Sequence, residues 1–110
     1  MTIGELCEKC HAAAREKGWY DGQGRTMPEL LCLIHSEISE ALEQHRLGHR
    51  PTEVYYLDNG KPEGIPVELA DAVIRICDLC AYFGINLQSA IEDKMRFNAT
   101  RSYRHGGKVC

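Results

Sequence analysis

The stretch PVELADAVIRICDL, residues 66–79, decides how this chain folds. Its apolar residues recur at helical spacing, at Val67, Ala70, Val73, Ile74 and Cys77. This spacing predicts a helix with one apolar face. Near its start the stretch carries two carboxylates, Glu68 and Asp71, which are three residues apart and therefore lie on the same side of a helix.

An earlier stretch, HSEISEALE at residues 35–43, repeats this arrangement with Glu37 and Glu40. If the two helices pack together, the four acids face one another and repel. A hard divalent cation such as Mg²⁺ removes that repulsion and takes oxygen ligands. The pattern therefore predicts a cation site made of Glu37, Glu40, Glu68 and Asp71. The alternative is two rows of solvated acids on helix surfaces.

Length and composition narrow the class of protein. The chain has 110 residues, which is enough for one domain spanning residues 1–110. Its net charge of −3 at pH 7 argues against a general nucleic-acid binder. No apolar run is long enough to span a membrane, and residues 1–6 lack the features of a secretion signal. We therefore expect a cytoplasmic protein whose six cysteines are reduced.

Helical periodicity extends over most of the chain. It predicts helices from Ile3 to about Lys17, from near Met27 to about Leu47, from Pro66 to about Phe83 and from Leu87 to about Thr100. Between the second and third helices, a β-prone run around Tyr55 and an Asn-Gly turn at residues 59–60 indicate a small hairpin. We expect an all-α bundle of four main helices with a hairpin-like insertion.

The basic residues gather toward the end of the chain. Lys94 and Asn98 share the side of the fourth helix that we expect to face inward, and Arg101 directly follows that helix. Lys108 lies in a basic tail of residues 102–110 that we expect to be flexible. A basic end beside an acidic centre suits a metal site next to a polyphosphate site, although a solvated basic surface gives the same pattern. Trp19 either covers the edge of the core or stacks on a nucleobase.

Two stretches together resemble the MazG-like, all-α nucleoside triphosphate pyrophosphohydrolases. That family carries an EExxE motif on one helix and an ExxD motif on the next. SEISE at residues 36–40 matches the first motif, except that Ser36 stands where a Glu is usual, and ELAD at residues 68–71 matches the second. The residues KMRFNATR at 94–101 and HGGK at 105–108 are similar to the end of small members of the family.

The resemblance implies Mg²⁺-dependent cleavage of a nucleotide between its α- and β-phosphates, with Mn²⁺ as the other candidate ion. The acids Glu37, Glu40, Glu68 and Asp71 would hold the metal, and Glu37 or Glu40 would also act as the base. The substrate would contact Trp19, Lys94, Asn98, Arg101 and Lys108. The resemblance also implies a homo-oligomer, a dimer or a tetramer. The alternative functions are a non-catalytic helical oligomer that binds a nucleotide or a metal, and a helical interaction domain.

Two CxxC pairs, at residues 7–10 and 77–80, fall inside predicted helices. Cysteines on the apolar face of a helix are usually packed in the core. A structural Zn²⁺ site or a redox disulfide is the alternative.

Overall fold

The computed structural model describes residues 1–101, so the basic tail with Lys108 lies outside the described residues. The helices are α1 (Ile3–Glu16), α2 (Met27–Arg46), α3 (Ile65–Phe83) and α4 (Leu87–Ala99). Two short strands, β1 (Tyr55–Tyr56) and β2 (Pro62–Glu63), pair antiparallel in the connection between α2 and α3. The prediction of four helices with a hairpin-like insertion is confirmed.

Local hydrogen bonds explain why the first two helices begin where the sequence predicts. Thr2 caps α1 by accepting a hydrogen bond from the Glu5 backbone N–H, while the Glu5 carboxylate accepts one from the Thr2 backbone N–H. Thr26 and Glu29 repeat this capping box at the start of α2. Each box satisfies backbone donors that a helix start leaves free.

Helix α3 lies at the centre of the fold, because both α1 and α2 pack against it. The buried core consists of Cys7 from α1, Leu30 from α2, and Cys77, Leu79 and Cys80 from α3. The cysteines of the two CxxC pairs therefore serve chiefly as core residues. All cysteines within residues 1–101 are free thiols, and they do not form a metal-ligand set of three there.

Helix α4 lies at the edge of the fold and buries none of its residues. Leu87 packs against the rim of the core, but Lys94 and Asn98, which we expected on the inner side, are exposed. The expected position was wrong because α1 and α2 already cover α3, so the rest of α4 has no apolar groove to enter. Among residues 1–101, no helix combines the length and the apolar character needed to cross a bilayer.

The hairpin connection is held close to both neighbouring helices. The Tyr55 hydroxyl donates to Gln44 Oε1 of α2 at 2.9 Å. Gly64 precedes α3 with a φ of 129°, and a Cβ atom there would overlap the backbone carbonyl oxygen of Glu53. Both the backbone conformation and the close approach require glycine. Gly64 thus lets the chain pass close to Glu53 directly before the first turn of α3, which carries Glu68.

Replacement of Gly64 by Ala is expected to lower the free energy of unfolding by about 2–4 kcal/mol, since it adds a steric overlap to an unfavourable φ. Gly22→Ala is the matched control, because Gly22 also has a positive φ of 78° but has no atom within 4 Å of the added Cβ. We expect the control to lose only about 1 kcal/mol. Urea denaturation of the two variants measures the difference, and equal losses would contradict the tight contact at Gly64.

Candidate metal centre

Three carboxylates converge where α2 packs against α3. Glu37 and Glu40 lie one turn apart on α2, and Glu68 lies in the first turn of α3. One oxygen from each lies within 4.8 Å of the others. Glu37 and Glu68 are buried, with exposed fractions of 6% and 5%, whereas Glu40 is exposed. The structure thus brings together three of the four acids that the sequence indicated. We call these three the acid cluster.

Asp71, the fourth acid, lies one turn further along α3 and is not part of the acid cluster. It lines a cavity of about 280 Å³ that Glu37 also lines. Burial raises the pKa of Asp71 and the charge of Glu37 adds to that rise, while Arg75 opposes it. Asp71 therefore faces the same centre of negative charge from the cavity side.

The three carboxylates of the acid cluster repel one another unless a positive charge or a proton compensates them. Burial, together with hydrogen bonding and charge from Glu40 and Glu37, raises the pKa of Glu68 to about 8. Glu37 Oε1 accepts a hydrogen bond from Arg75 Nε at 2.9 Å, but Glu37 Oε2 is buried with no hydrogen-bond partner. A buried carboxylate oxygen without a donor is costly. A hard cation would satisfy that oxygen and offset the repulsion, so these residues fit a divalent metal ion.

On the hairpin side, the acid cluster opens into a cleft of about 250 Å³. Glu40 and Glu68 line this cleft with Lys61 and Glu63. Lys61 Nζ pairs with Glu63 Oε1 at 3.0 Å. The pKa of Lys61 is raised, mainly by Glu63 and also by Glu68 and Glu40. The hairpin thus places a positive charge beside the acids.

On the opposite side, the 280 Å³ cavity is mostly apolar and has Trp19 in its wall. Ala13, Ala14 and Ile74 contribute further apolar surface, and Lys17 contributes a positive charge. Trp19 itself is half-buried. The guanidinium carbon atoms of Arg75 and Arg25 lie 4.8 Å and 5.3 Å from the centre of its ring. A flat cavity wall of this kind suits a planar ligand.

Asp78 is a buried acid in the wall of the same cavity. Its Oδ2 accepts a hydrogen bond from the Tyr20 hydroxyl at 2.6 Å, and its Oδ1 lies 2.8 Å from His11 Nδ1. Burial and the hydrogen bond to Asp78 raise the pKa of Tyr20, so Tyr20 keeps its proton. These contacts hold the loop after α1, and with it Trp19, against α3.

The sequence analysis missed Arg75 and Asp78 as members of the cavity wall. A signal for them exists, since Glu68, Asp71, Arg75 and Asp78 follow one another at intervals of three and four residues. Such intervals place all four on one side of a helix. The charged side of α3 is therefore longer than the ExxD motif alone indicates.

Other predicted site residues lie elsewhere. Lys94, Asn98 and Arg101 are exposed and line neither the cavity nor the cleft. Lys94 Nζ and Arg101 Cζ instead lie 5.0 Å and 5.7 Å from the centre of the Phe97 ring. Ser36 donates a hydrogen bond to the carbonyl of Leu33 at 2.6 Å and stays apart from the acid cluster.

Replacement of Glu68 by Gln is expected to stabilise the metal-free protein by about 1–3 kcal/mol near pH 7.5, because an uncharged amide does not have to take up a proton on folding beside Glu37 and Glu40. The folded-state pKa of Glu68, about 8, exceeds its ordinary value of 4.5. The folded wild type therefore holds a proton that the unfolded chain releases, and its stability falls as the pH rises through this interval. The gain from the substitution should accordingly shrink toward pH 4.5.

Urea denaturation in the presence of a chelator, at a series of pH values, measures this effect. Glu92→Gln on the exposed surface of α4 is the control and should change little at any pH. A Glu68→Gln variant that is less stable than wild type near neutral pH would contradict the repulsion between Glu68 and its neighbours Glu37 and Glu40.

Comparison of the chain with protein-family models, curated proteins and solved structures finds no match. The resemblance to the MazG-like family therefore stays a prediction that rests on the motifs.

Proposed function

We propose that the protein is a Mg²⁺-dependent nucleotide pyrophosphohydrolase, which cleaves a nucleoside triphosphate to the monophosphate and pyrophosphate. The observation that carries the proposal is the acid cluster, in which a buried oxygen of Glu37 has no hydrogen-bond partner. The apolar cavity has both Trp19 and Glu37 in its wall, so it offers one ligand both an aromatic surface and the edge of the acid cluster. In this proposal the protein acts on free nucleotides in the cytoplasm, and neither nucleic acids nor membranes are its partners.

Glu37, Glu40 and Glu68 would hold the metal ion, with Mn²⁺ as an alternative to Mg²⁺. When bound, the ion would neutralise part of the phosphate charge and lower the pKa of a water molecule bound to it. Glu40 is the exposed member of the acid cluster, so it is best placed to accept a proton from the attacking water. Glu37 is the alternative base. Asp71 lies on the cavity side of Glu37, where a second ligand or a second ion would approach.

The cavity would take the nucleobase. Ala13, Ala14 and Ile74 supply its apolar walls. Trp19 offers an aromatic surface on which any base can stack when the Arg75 guanidinium, 4.8 Å from the ring centre, moves aside. Lys17 and Arg75 supply positive charge where the cavity approaches the acids. These two cations line the same cavity as Glu37, whereas no basic residue of α4 does, and they are the candidates for phosphate contacts within the same chain.

We also propose that the protein is a homo-oligomer, a dimer or a tetramer. Large apolar side chains are exposed at regular spacing along α2 and α3: Leu31, Ile38, Leu42, Leu69 and Val73. Their exposed fractions range from 46% to 57%. An apolar surface of this kind on two packed helices is typical of a contact between subunits.

Incubation with a panel of nucleoside triphosphates and Mg²⁺ should release pyrophosphate and the monophosphate from at least one of them. Glu37→Gln and Glu68→Gln should each lower kcat/KM by about 100-fold or more, since each removes a metal ligand. Glu92→Gln should retain full activity. Release of inorganic phosphate and a diphosphate would place the cleaved bond elsewhere. Nucleotide binding without turnover would favour the non-catalytic binding protein.

The double variant Leu42→Asp, Val73→Asp should reduce the molar mass measured by light scattering, because charges would be buried in the proposed contact. Met95→Asp is the control, since Met95 is 65% exposed and belongs to α4. Dissociation of the Met95 variant alone would place the contact on α4. A wild type that is monomeric at all concentrations would contradict the proposed oligomer.

A further inference from the structure

Arg75 joins the acid cluster to the cavity. Its Nε donates to Glu37 Oε1 at 2.9 Å, and its guanidinium carbon lies 4.8 Å from the centre of the Trp19 ring. Its side chain is 25% exposed, whereas that of Glu37 is 8% exposed. Arg75 also lowers the pKa of Asp71 against the effect of burial. One guanidinium thus partly neutralises two acids and covers the aromatic wall of the cavity.

A metal ion on Glu37 and the guanidinium of Arg75 attract the same carboxylate. Since the metal ion and the guanidinium also repel each other, a metal ion bound by Glu37 weakens the ion pair between Glu37 and Arg75. Arg75 lines the cavity together with Glu37, on the side where the proposed nucleotide would bring its phosphates toward the metal ion. A guanidinium matches phosphate oxygens with two parallel hydrogen bonds, and phosphate presents more negative charge than one carboxylate.

We propose that Arg75 exchanges partners. It pairs with Glu37 when no metal ion is bound, and it pairs with the substrate's phosphates when the metal ion is bound. This inference rests on the proposed function, since it needs both a metal ion and an anionic ligand. Arg75 would then weaken the binding of the metal ion and strengthen the binding of the polyphosphate. It competes with the metal ion for Glu37, and it contributes directly to binding the polyphosphate.

The alternative role for Arg75 is to orient Glu37 and remain paired with it. In that case its loss would weaken the binding of both ligands, because Glu37 would lose its position. The sign of the effect on metal binding therefore separates the two roles. Trp19 gives a second readout, because it is the only tryptophan in the chain and Arg75 lies over its ring. Arg25 stays beside Trp19 through its bonds to the Trp19 carbonyl and Glu29.

The test compares wild type with Arg75→Gln, Arg75→Lys and the control Arg96→Gln, which changes an exposed arginine of α4. Calorimetry measures Mg²⁺ binding alone and then the binding of inorganic triphosphate in the presence of Mg²⁺. Inorganic triphosphate lacks a base, so it does not stack on Trp19. We expect Arg75→Gln to bind Mg²⁺ about threefold more tightly and triphosphate about tenfold more weakly than wild type.

Arg75→Lys should lie between these values, and Arg96→Gln should match wild type. In wild type, Trp19 emission should change when triphosphate is added with Mg²⁺, and that change should be lost in Arg75→Gln. Weaker Mg²⁺ binding by Arg75→Gln, or unchanged triphosphate binding, would overturn the exchange while leaving the metal site intact. Absence of Mg²⁺ binding in the wild type would overturn the proposed function itself, and the inference with it.

Discussion

Mutual repulsion among Glu37, Glu40 and Glu68 is the constraint on which the rest of the structure depends. Two of these carboxylates are buried between α2 and α3, where neighbouring negative charges are not screened by water. The fold offsets them with a proton on Glu68 and an ion pair from Arg75 to Glu37. The ion pair uses Glu37 Oε1, so the buried Glu37 Oε2 depends on the Glu68 proton or on a ligand. Apolar residues of similar volume would make a more stable interface here, which supports the proposal that the acids bind a ligand.

Helix α3 contributes both to the core and to the candidate site, because one of its sides is apolar and another is charged. Its core side carries Cys77, Leu79 and Cys80, which pack against α1 and α2. Its charged side carries Glu68 and Arg75, and the buried Asp78 extends that side toward Tyr20. The packing of the core side therefore fixes where the residues of the charged side lie relative to α1 and α2. A shift of α3 by one turn would separate Glu68 from the α2 acids and remove the wall opposite Trp19.

The sequence predicted the helices well because their ends depend on neighbouring residues. Thr2 with Glu5, and Thr26 with Glu29, cap their helices within a single turn. Contacts between distant residues were harder to predict. Spacing placed Glu68 and Asp71 on one side of α3, but only the angle between α2 and α3 decides that Asp71 faces the cavity instead of the acid cluster. The exposed position of α4 likewise follows from how α1 and α2 cover α3.

The separation of α4 from the acid cluster bears on how a polyphosphate would be neutralised. Within residues 1–101 of one chain, the cations that line the cavity and the cleft are Lys17, Arg75 and Lys61. Lys61 is already paired with Glu63, and Arg75 with Glu37. A triphosphate carries more negative charge than Lys17 alone can balance, and the two positive charges of a bound Mg²⁺ ion would be largely offset by the carboxylates that hold it. A metal ion that releases Arg75 from Glu37 would correct part of this imbalance within the chain. Both the metal ion and the released guanidinium would then depend on the acids that α2 and α3 bring together.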